Sequence, residues 1–196
     1  KPSNDIQTHA DLVVWVGNDT SFSLFFFNPK AKVIQIDVDS EALGKRHAVD
    51  VPILADGKKT LQAIIDAGEE RSESPLYKAA IADRENWDSW QESFADSDET
   101  PMRPEPVFDV INKEAADDAV FAVDVGNVNI NFQRLMNLHD DQIWATSGLY
   151  ATMGFGAPAS LAAATVYPKR EVWNLAGDGA FAMMNQELLT QARYNM

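Results

Sequence analysis

The chain has 196 residues, of which 45% are hydrophobic and 23% charged, a composition typical of a globular protein and not of a disordered chain. Its 30 acidic and 16 basic residues give a formal net charge of −14, which disfavours nucleic acid as a partner. It contains no cysteine, which excludes disulfides, thiolate metal sites and thiol nucleophiles. The densest apolar run, Leu24–Phe27, is too short to cross a membrane, and we expect no signal peptide, no membrane partner and a cytoplasmic location.

Residues 1–68 predict an α/β block. Three apolar runs predict parallel strands covered on both faces: Leu12–Val16, Val33–Ile36 and Ile53–Leu54. The first two end in polar turns, Gly17-Asn18 and Asp37-Val38-Asp39. A helix is predicted over Lys58–Ala67, where Leu61, Ile64 and Ile65 are spaced for one buried face.

The segment 69–103 is acidic and punctuated by prolines, and we interpret it as a linker that contains one helix. Its larger apolar residues fall on one helical stripe: Leu76, Ala80, Trp87, Trp90 and Phe94. Two interpretations stay open. The stripe packs across a domain surface, or the tryptophans line a ligand platform.

Residues 104–196 predict a second α/β block. The first helix carries an apolar face of Val107, Val110, Ile111 and Ala115. Strands are predicted at Ala119–Val123, Ile143–Trp144 and Val172–Leu175, and helices at Gly156–Val166 and Phe181–Asn195. The last helix shows no terminator and the chain begins with Lys1, so we expect both ends to be cut. The predicted fold class is α/β, with two partial doubly wound parallel-sheet domains joined by an acidic helical linker.

Two glycine-containing turns in the second block follow predicted strands, DVGN at 124–127 and GDG at 177–179. Ligands of open α/β sheets bind beyond the carboxyl ends of the strands. A carboxylate such as Asp178 suits a diphosphate site only if a hard cation such as Mg²⁺ lies between the two anions. Plain turn chemistry stays open as the alternative for a GDG tripeptide.

The segment Trp173–Phe181 (WNLAGDGAF) resembles the start of the motif of thiamine-diphosphate-dependent enzymes. Leu149–Pro158 (LYATMGFGAP) is similar to the family segment whose bulky residue, here Met153, supports the bent cofactor. The resemblance implies that Asp178 is a Mg²⁺ ligand. It implies thiamine diphosphate contacts at six residues: Gly126, Asn127, Met153, Gly177, Gly179 and Ala180.

In the first block, Ile36–Asp39 with the following Leu43–His47 resembles the FAD-contacting stretch of the pyruvate oxidase branch, and Val51–Asp56 resembles the next strand and turn. The FAD contacts implied are Gly17, Asn18, Asp37, Val38 and Asp56. The resemblance makes 1–68 the C-terminal part of a FAD-binding-like middle domain, 69–103 a linker, and 104–196 the first part of a diphosphate-binding domain. The activating Glu is expected on an absent domain, so no catalytic residue is assigned.

The resemblance implies a fragment of an enzyme that oxidatively decarboxylates pyruvate to an acetyl product. The implied cofactors are thiamine diphosphate, Mg²⁺ and FAD. The implied small-molecule partners are pyruvate, phosphate and O2. The resemblance also implies a homo-oligomer, a tetramer. We expect the fragment itself to be inactive. Two alternatives stay open: a carboligase or decarboxylase of the same superfamily, of the acetolactate synthase kind, and a catalytically silent structural fragment.

Three further candidates each have a plainer interpretation. His47 is a general base or part of a solvated loop, and His139 with Asp140 and Asp141 is a metal site or an exposed loop. The phenylalanines form a core or subunit interface, or they flank an isoalloxazine: Phe22, Phe25, Phe26 and Phe27.

Overall fold

The computed structural model describes residues 2–18, 27–70 and 72–196. The chain divides into two compact units, residues 1–90 and 91–196. Phe22, Phe25 and Phe26 lie outside the described residues. Phe27 lies within them, and its ring packs edge-on against Trp15 with 5.4 Å between centroids.

The first unit is built on a three-stranded parallel sheet. Up to residue 68, its described residues form α1 (Pro2–His9), β1 (Leu12–Val16), β2 (Lys32–Asp37), β3 (Val51–Leu54) and α2 (Gly57–Ala67). The strand order is β1-β2-β3, and Val16 is in register with Ile36, which is in register with Ile53. Trp15, Val33 and Ile36 are buried. The predicted α/β class with parallel sheets is confirmed here.

The apolar face of α2 is exposed, contrary to the sequence prediction. Leu61, Ile64 and Ile65 are 42%, 48% and 70% exposed, and no residue of α2 is buried. The predicted helix is present, but the spacing of apolar residues predicts only which of them share a face and not whether that face is buried. No element among the described residues of this unit covers that face.

Helix α3 (Pro75–Glu92) lies within the segment 69–103. The rings of Trp87 and Trp90 stack at 28° with centroids 5.0 Å apart, and Trp90 is 37% exposed. With Pro2, Asp5, Asp83 and Asn86 they line a shallow cavity of about 280 Å³ in the first unit. Both interpretations of the tryptophans, packing surface and ligand platform, therefore stay open.

The second unit contains a second three-stranded parallel sheet. Helix α3 ends at the boundary of this unit. Eight further elements follow: α4 (Pro104–Glu114), β4 (Val120–Val123), α5 (Asn127–Leu135), β5 (Ile143–Ala145), α6 (Gly156–Val166), β6 (Val172–Leu175), α7 (Asp178–Met184) and α8 (Glu187–Tyr194). The strand order is β5-β4-β6, so β4 is central. Phe121 is in register with Trp144 on one side and with Trp173 on the other.

The core of the second unit lies between β4 and the helices α4 and α5. Phe108, Phe121 and Phe132 are 5% exposed or less, and their rings pack with centroids 5.5 to 6.5 Å apart. The predicted face of α4 is half right, because Ile111 and Ala115 are buried. Val107 and Val110 are instead 44% and 56% exposed, and Phe108 is buried in their place. Helix α5 was not predicted from the sequence.

The C-terminal helical segment is two helices rather than one. Helix α7 ends at Met184 and α8 begins at Glu187. Asn195 follows α8 in the left-handed conformation (φ 54°), and its N–H bonds back to the last turn. The prediction of a helix without a terminator is therefore wrong, since asparagine serves here as the C-cap that glycine usually supplies. Within the part of the chain that the structure describes, no helix has the length and apolar character needed to span a bilayer.

Candidate cofactor site

The two predicted turns of the second unit lie at one edge of its sheet. Because β4, β5 and β6 are parallel, their carboxyl ends share that edge. The turn 124–127 leaves β4, Thr146 follows β5, and residues 176–179 follow β6. Asn129 on α5 donates a side-chain hydrogen bond to the Thr146 hydroxyl at 2.7 Å, which joins the first of these strand ends to the second.

Asp124 is a fully buried carboxylate at the end of β4, with 0% exposure. Its Oδ1 accepts the N–H of Val125 at 2.8 Å and the N–H of Gly154 at 3.0 Å. Its Oδ2 accepts the N–H of Gly156 at 2.7 Å. Its own N–H donates to the carbonyl of Leu175 on β6. One residue therefore binds its own turn, the neighbouring strand and the segment 154–156.

The segment 154–156 approaches its neighbours too closely for a side chain at either glycine. A Cβ on Gly154 would lie 2.9 Å from Met184 Cγ, and the residue has a φ of +88°, which L side chains rarely adopt. A Cβ on Gly156 would lie 2.6 Å from Asn174 Oδ1 and 3.1 Å from Asp124 Oδ2. The two glycines allow this segment to pack against α7 on one side and against the ends of β4 and β6 on the other.

Met153, immediately before that segment, points towards the GDG turn. Its Cε lies 3.5 Å from the position that a Cβ on Gly179 would take, which is ordinary van der Waals contact. The side chain is 44% exposed, so one side of it faces open space. The structure thus brings together Met153 and the GDG turn, which the sequence singled out separately.

The remaining predicted residues of this edge are accessible, except Ala180, which is buried. Asp178 and Gly179 are exposed at the start of α7, and Ala180 is 1% exposed directly below them. Gly126, with φ 122°, precedes Asn127, the exposed first residue of α5. A Cβ on Gly126 or Gly177 would meet no atom of the described residues within 4 Å, so the backbone at both turns is open to a ligand.

The predicted FAD residues of the first unit share the carboxyl edge of its sheet. Gly17, exposed with φ +59°, follows β1, and its N–H donates to the carbonyl of Ile36 on β2. Asn18 is exposed beside it, and Val38 is 73% exposed after β2. Asp37 is half-buried at the end of β2, and its Oδ1 accepts the N–H of Asp39 at 2.9 Å.

Asp56 has a structural role that the sequence did not indicate. It is the N-cap of α2, and its Oδ1 accepts the N–H of Lys59 at 2.9 Å. A Cβ on the next residue, Gly57, would lie 2.9 Å from Val16 Cγ1, so α2 begins close against the end of β1. The three strand ends of this unit therefore converge, with one oxygen of Asp56 engaged in capping.

The two histidine candidates make local contacts, each within its own unit. His47 Nδ1 is 2.6 Å from the carbonyl of Ala48, and its ring packs edge-on against Trp15. His139 Nδ1 is 3.0 Å from Asp140 Oδ2 and 3.9 Å from Asp117 Oδ1. The three residues of this second group are all exposed.

Comparison with protein families gives two matches on this chain. Residues 1–64 match the model of the thiamine pyrophosphate enzyme central domain, and residues 124–196 match that of the C-terminal TPP binding domain of the same enzymes. Together the two ranges cover more than half of the chain. The chain belongs to the thiamine pyrophosphate enzyme family. The match at 124–196 begins at Asp124 and includes Met153 and the GDG turn.

Individual relatives of this family align over most of the chain. It is 41% identical over 199 residues to a pyruvate oxidase of Lactiplantibacillus plantarum, which covers all of this chain and 33% of the relative. It is 32% identical over 174 residues to an acetolactate synthase large subunit of Corynebacterium glutamicum, and 31% over 195 residues to an acetolactate synthase of Mycobacterium avium. These alignments cover 27% and 31% of the two synthases, so the chain spans about a third of the length of the curated relatives it matches.

Sequence reasoning did not find the role of Asp124, nor the bond from Asn129 to Thr146. From the turn DVGN the sequence indicated Gly126 and Asn127. The residue of this turn with the most hydrogen-bond partners is Asp124, the first one. A polar residue directly after the continuous apolar run Val120–Val123 was the available signal, because a carboxylate that enters a core needs donors there. The donors themselves lie in a distant part of the sequence.

Proposed function

We propose that the complete protein carrying these residues oxidatively decarboxylates pyruvate to an acetyl product, with thiamine diphosphate, Mg²⁺ and FAD as cofactors and O2 as electron acceptor. The observation that carries the proposal is that Met153 Cε lies 3.5 Å from where a Cβ on Gly179 would stand, next in sequence to the exposed Asp178. The chain is also 41% identical over its whole length to a protein named pyruvate oxidase. As further proposals, the protein is a cytoplasmic homo-oligomer, and phosphate captures the acetyl group.

The residues at the carboxyl edge of the second sheet fit thiamine diphosphate and Mg²⁺. Asp178 offers carboxylate oxygen, which Mg²⁺ prefers, and is exposed. The first N–H groups of a helix have no carbonyl partner within it, so those of Gly179 and Ala180 would donate to diphosphate oxygens. Gly126, Asn127 and Gly177 leave the backbone accessible, and Met153 would support the cofactor from the side of Gly179. When bound, the cofactor supplies the electron sink for decarboxylation.

The carboxyl edge of the first sheet fits part of a dinucleotide. Asp37 follows a buried strand, the position from which a carboxylate accepts ribose hydroxyl hydrogen bonds in dinucleotide-binding folds. Gly17 and Asn18 follow the adjacent strand, and Val38 and Asp56 complete the set proposed to contact FAD. What supports FAD is this placement together with the resemblance to the pyruvate oxidase branch.

An acetolactate synthase activity is the second candidate, favoured by the relatives of that name that are 31% and 32% identical. The discriminating experiment supplies the complete protein with thiamine diphosphate, Mg²⁺, FAD, phosphate and pyruvate in air. We expect CO2, acetyl phosphate and hydrogen peroxide. Acetolactate without peroxide would assign the second candidate instead, and acetate in place of acetyl phosphate would make water the acceptor.

For residues 1–196 alone we propose neither turnover nor tight binding of thiamine diphosphate. Asp178 is the one protein carboxylate assigned to Mg²⁺, and a hard cation held by one carboxylate keeps most of its water. Apolar side chains on β1 and α2 are also exposed, which favours self-association: Leu12, Val14, Leu61 and Ile65 are 42% to 70% exposed. Stoichiometric cofactor binding with turnover by this chain would contradict the proposal.

A further inference from the structure

The charge of Asp124 is satisfied inside the second unit by backbone groups from two separate segments. Three N–H groups donate to its two oxygens, those of Val125, Gly154 and Gly156, at 2.7 to 3.0 Å. With 0% exposure the carboxylate has no access to water. A buried charge is retained only where donors replace its hydration, and here two of the three donors come from the segment that follows Met153.

The same carboxylate caps helix α6. Gly156 is the first residue of α6, and the residue before it, Phe155, makes no side-chain cap hydrogen bond. Asp124 Oδ2 instead accepts the Gly156 N–H from the end of β4. A negative charge at a helix N-terminus is favourable and fixes the position of the first turn. The start of α6 and the residues just before it are thereby held in a defined place relative to β4.

Asp124 Oδ1 holds the residue next to Met153. The Gly154 N–H donates to that oxygen at 3.0 Å, and Gly154 itself packs against Met184 and Met183 of α7. The residue after Met153 is thus held by Asp124 and by the packing against α7, and Met153 Cε lies 3.5 Å from the place of a Cβ on Gly179. A long unbranched side chain with three rotatable bonds specifies a position poorly unless its backbone is fixed.

From this arrangement we propose that Asp124 is a positioning residue for the cofactor site. It sets the place of Met153 by binding the N–H groups of Gly154 and Gly156, and it does so without touching cofactor or substrate. The inference rests on the proposed function for its effect on turnover. Asp124 acts through Met153, so removing its second acceptor oxygen should lower turnover only where Met153 is present.

The variant Asp124→Asn tests this in the complete protein. The variant keeps the shape of the side chain but replaces one acceptor oxygen with an amide N–H₂ group, which cannot accept a backbone N–H. One of the two hydrogen bonds from the N–H groups of Gly154 and Gly156 is therefore lost. We expect kcat to fall roughly 10- to 100-fold, as misplacement of a positioning group does, while thiamine diphosphate affinity changes much less. In a Met153→Ala background the same change should lower kcat less than about threefold, because residues acting as a unit are not additive.

The matched control is Ser160→Ala, which removes buried hydrogen bonds elsewhere in α6. Ser160 Oγ donates to the Ala157 carbonyl at 2.8 Å and accepts from Gln191 Nε2 at 3.0 Å, away from the Met153 backbone. We expect it to lower thermal stability with kcat unchanged. Equal losses of kcat from Asp124→Asn with and without Met153 would overturn the positioning role and leave a purely structural one.

A second measurement needs no variant and no activity. In the wild-type protein the amide hydrogens of Gly154 and Gly156 should exchange as slowly as those of β4, although Gly154 belongs to no helix or strand. Exchange at the rate of an exposed loop would overturn the proposal. If the wild-type protein binds no thiamine diphosphate and releases no CO2 from pyruvate, the proposed function fails, and this exchange measurement still decides whether Asp124 holds the segment.

Discussion

The terminal methyl group of Met153 lies 3.5 Å from the place where a Cβ on Gly179 would stand. The first residue comes from the turn before α6 and the second from the first turn of α7. Met153 is 44% exposed, and Asp178, the residue before Gly179, is exposed as well, so both side chains are accessible at this edge of the sheet.

Asp178→Ala should weaken Mg²⁺-dependent binding of thiamine diphosphate in the complete protein. The change removes an anionic oxygen ligand of a hard cation. Mutation of a residue that only hydrogen-bonds to a metal ligand lowers metal affinity roughly 10- to 100-fold. For loss of a ligand itself we expect the Mg²⁺-dependent affinity for thiamine diphosphate, measured by calorimetry, to fall at least about tenfold. Asp141→Ala, at an exposed carboxylate after the α5 helix, is the control and should have no effect. Unchanged affinity for the cofactor in Asp178→Ala would remove Asp178 from the metal site.

Met153→Ala should slow turnover roughly 10- to 100-fold while the affinity for Mg²⁺ stays the same. The side chain supports the cofactor but offers the metal no oxygen, so its loss misplaces the reacting group and leaves the diphosphate anchor intact. Steady-state kinetics and metal titration of the same preparation measure the two effects. Normal turnover would make Met153 an ordinary packing residue.

Gly154→Ala should destabilise the protein, whereas Gly177→Ala should not. Residue 154 has a φ of +88°, and its new Cβ would lie 2.9 Å from Met184 Cγ, while at residue 177 a Cβ meets no described atom within 4 Å. Backbone strain and overpacking together predict a loss of about 2 to 4 kcal/mol in the free energy of unfolding. Denaturant titration of both variants checks this. Similar stability in the two would mean that the 153–156 segment does not pack as described.

Asp37→Ala should lower FAD affinity without changing thiamine diphosphate affinity. A hydrogen bond between a charged group and a ribose hydroxyl contributes about 1.5 to 3 kcal/mol to binding. Its loss should therefore raise the Kd for FAD roughly 10- to 100-fold. Asp39→Ala removes a neighbouring exposed carboxylate that accepts the N–H of Glu41, and it should have a smaller effect. Flavin fluorescence on dilution measures the release. Equal FAD affinity in wild type and Asp37→Ala would place the ribose elsewhere.

The sequence predicted strands better than it predicted faces and partners. The apolar runs Leu12–Val16 and Val172–Leu175 coincide with β1 and β6, because short runs rich in valine and aromatic residues favour strands. The expectation that β1 is covered on both faces is wrong for this structure, since Leu12 and Val14 are 49% and 45% exposed.

The face of α4 was predicted correctly at Ile111 and Ala115 but not at Val107. Phe108 and Val107 are adjacent in sequence, and only the tertiary position of β4 decides which of them is buried. Helix α5 was missed because its residues Asn127–Leu135 alternate polar and apolar side chains over the first half.

Asp124 could not be assigned from the sequence for a different reason. Its local partner, the N–H of Val125, is what any aspartate in a turn would find. The two donors that distinguish it, Gly154 and Gly156, become its neighbours only when β4 and α6 have packed. The resemblance to a family indicated Met153 and Asp178, but only the fold shows that the Met153 side chain lies close to the GDG turn.

The most direct test of the account follows the flavin absorbance of the complete protein after anaerobic addition of pyruvate. We predict that the flavin bleaches only when thiamine diphosphate and Mg²⁺ are both present, recovers on admission of air, and bleaches far more slowly in Asp178→Ala. That result would require pyruvate to be decarboxylated at the second-unit edge and its electrons to reach FAD. A flavin that stays oxidised while pyruvate is consumed and acetolactate accumulates would contradict the account.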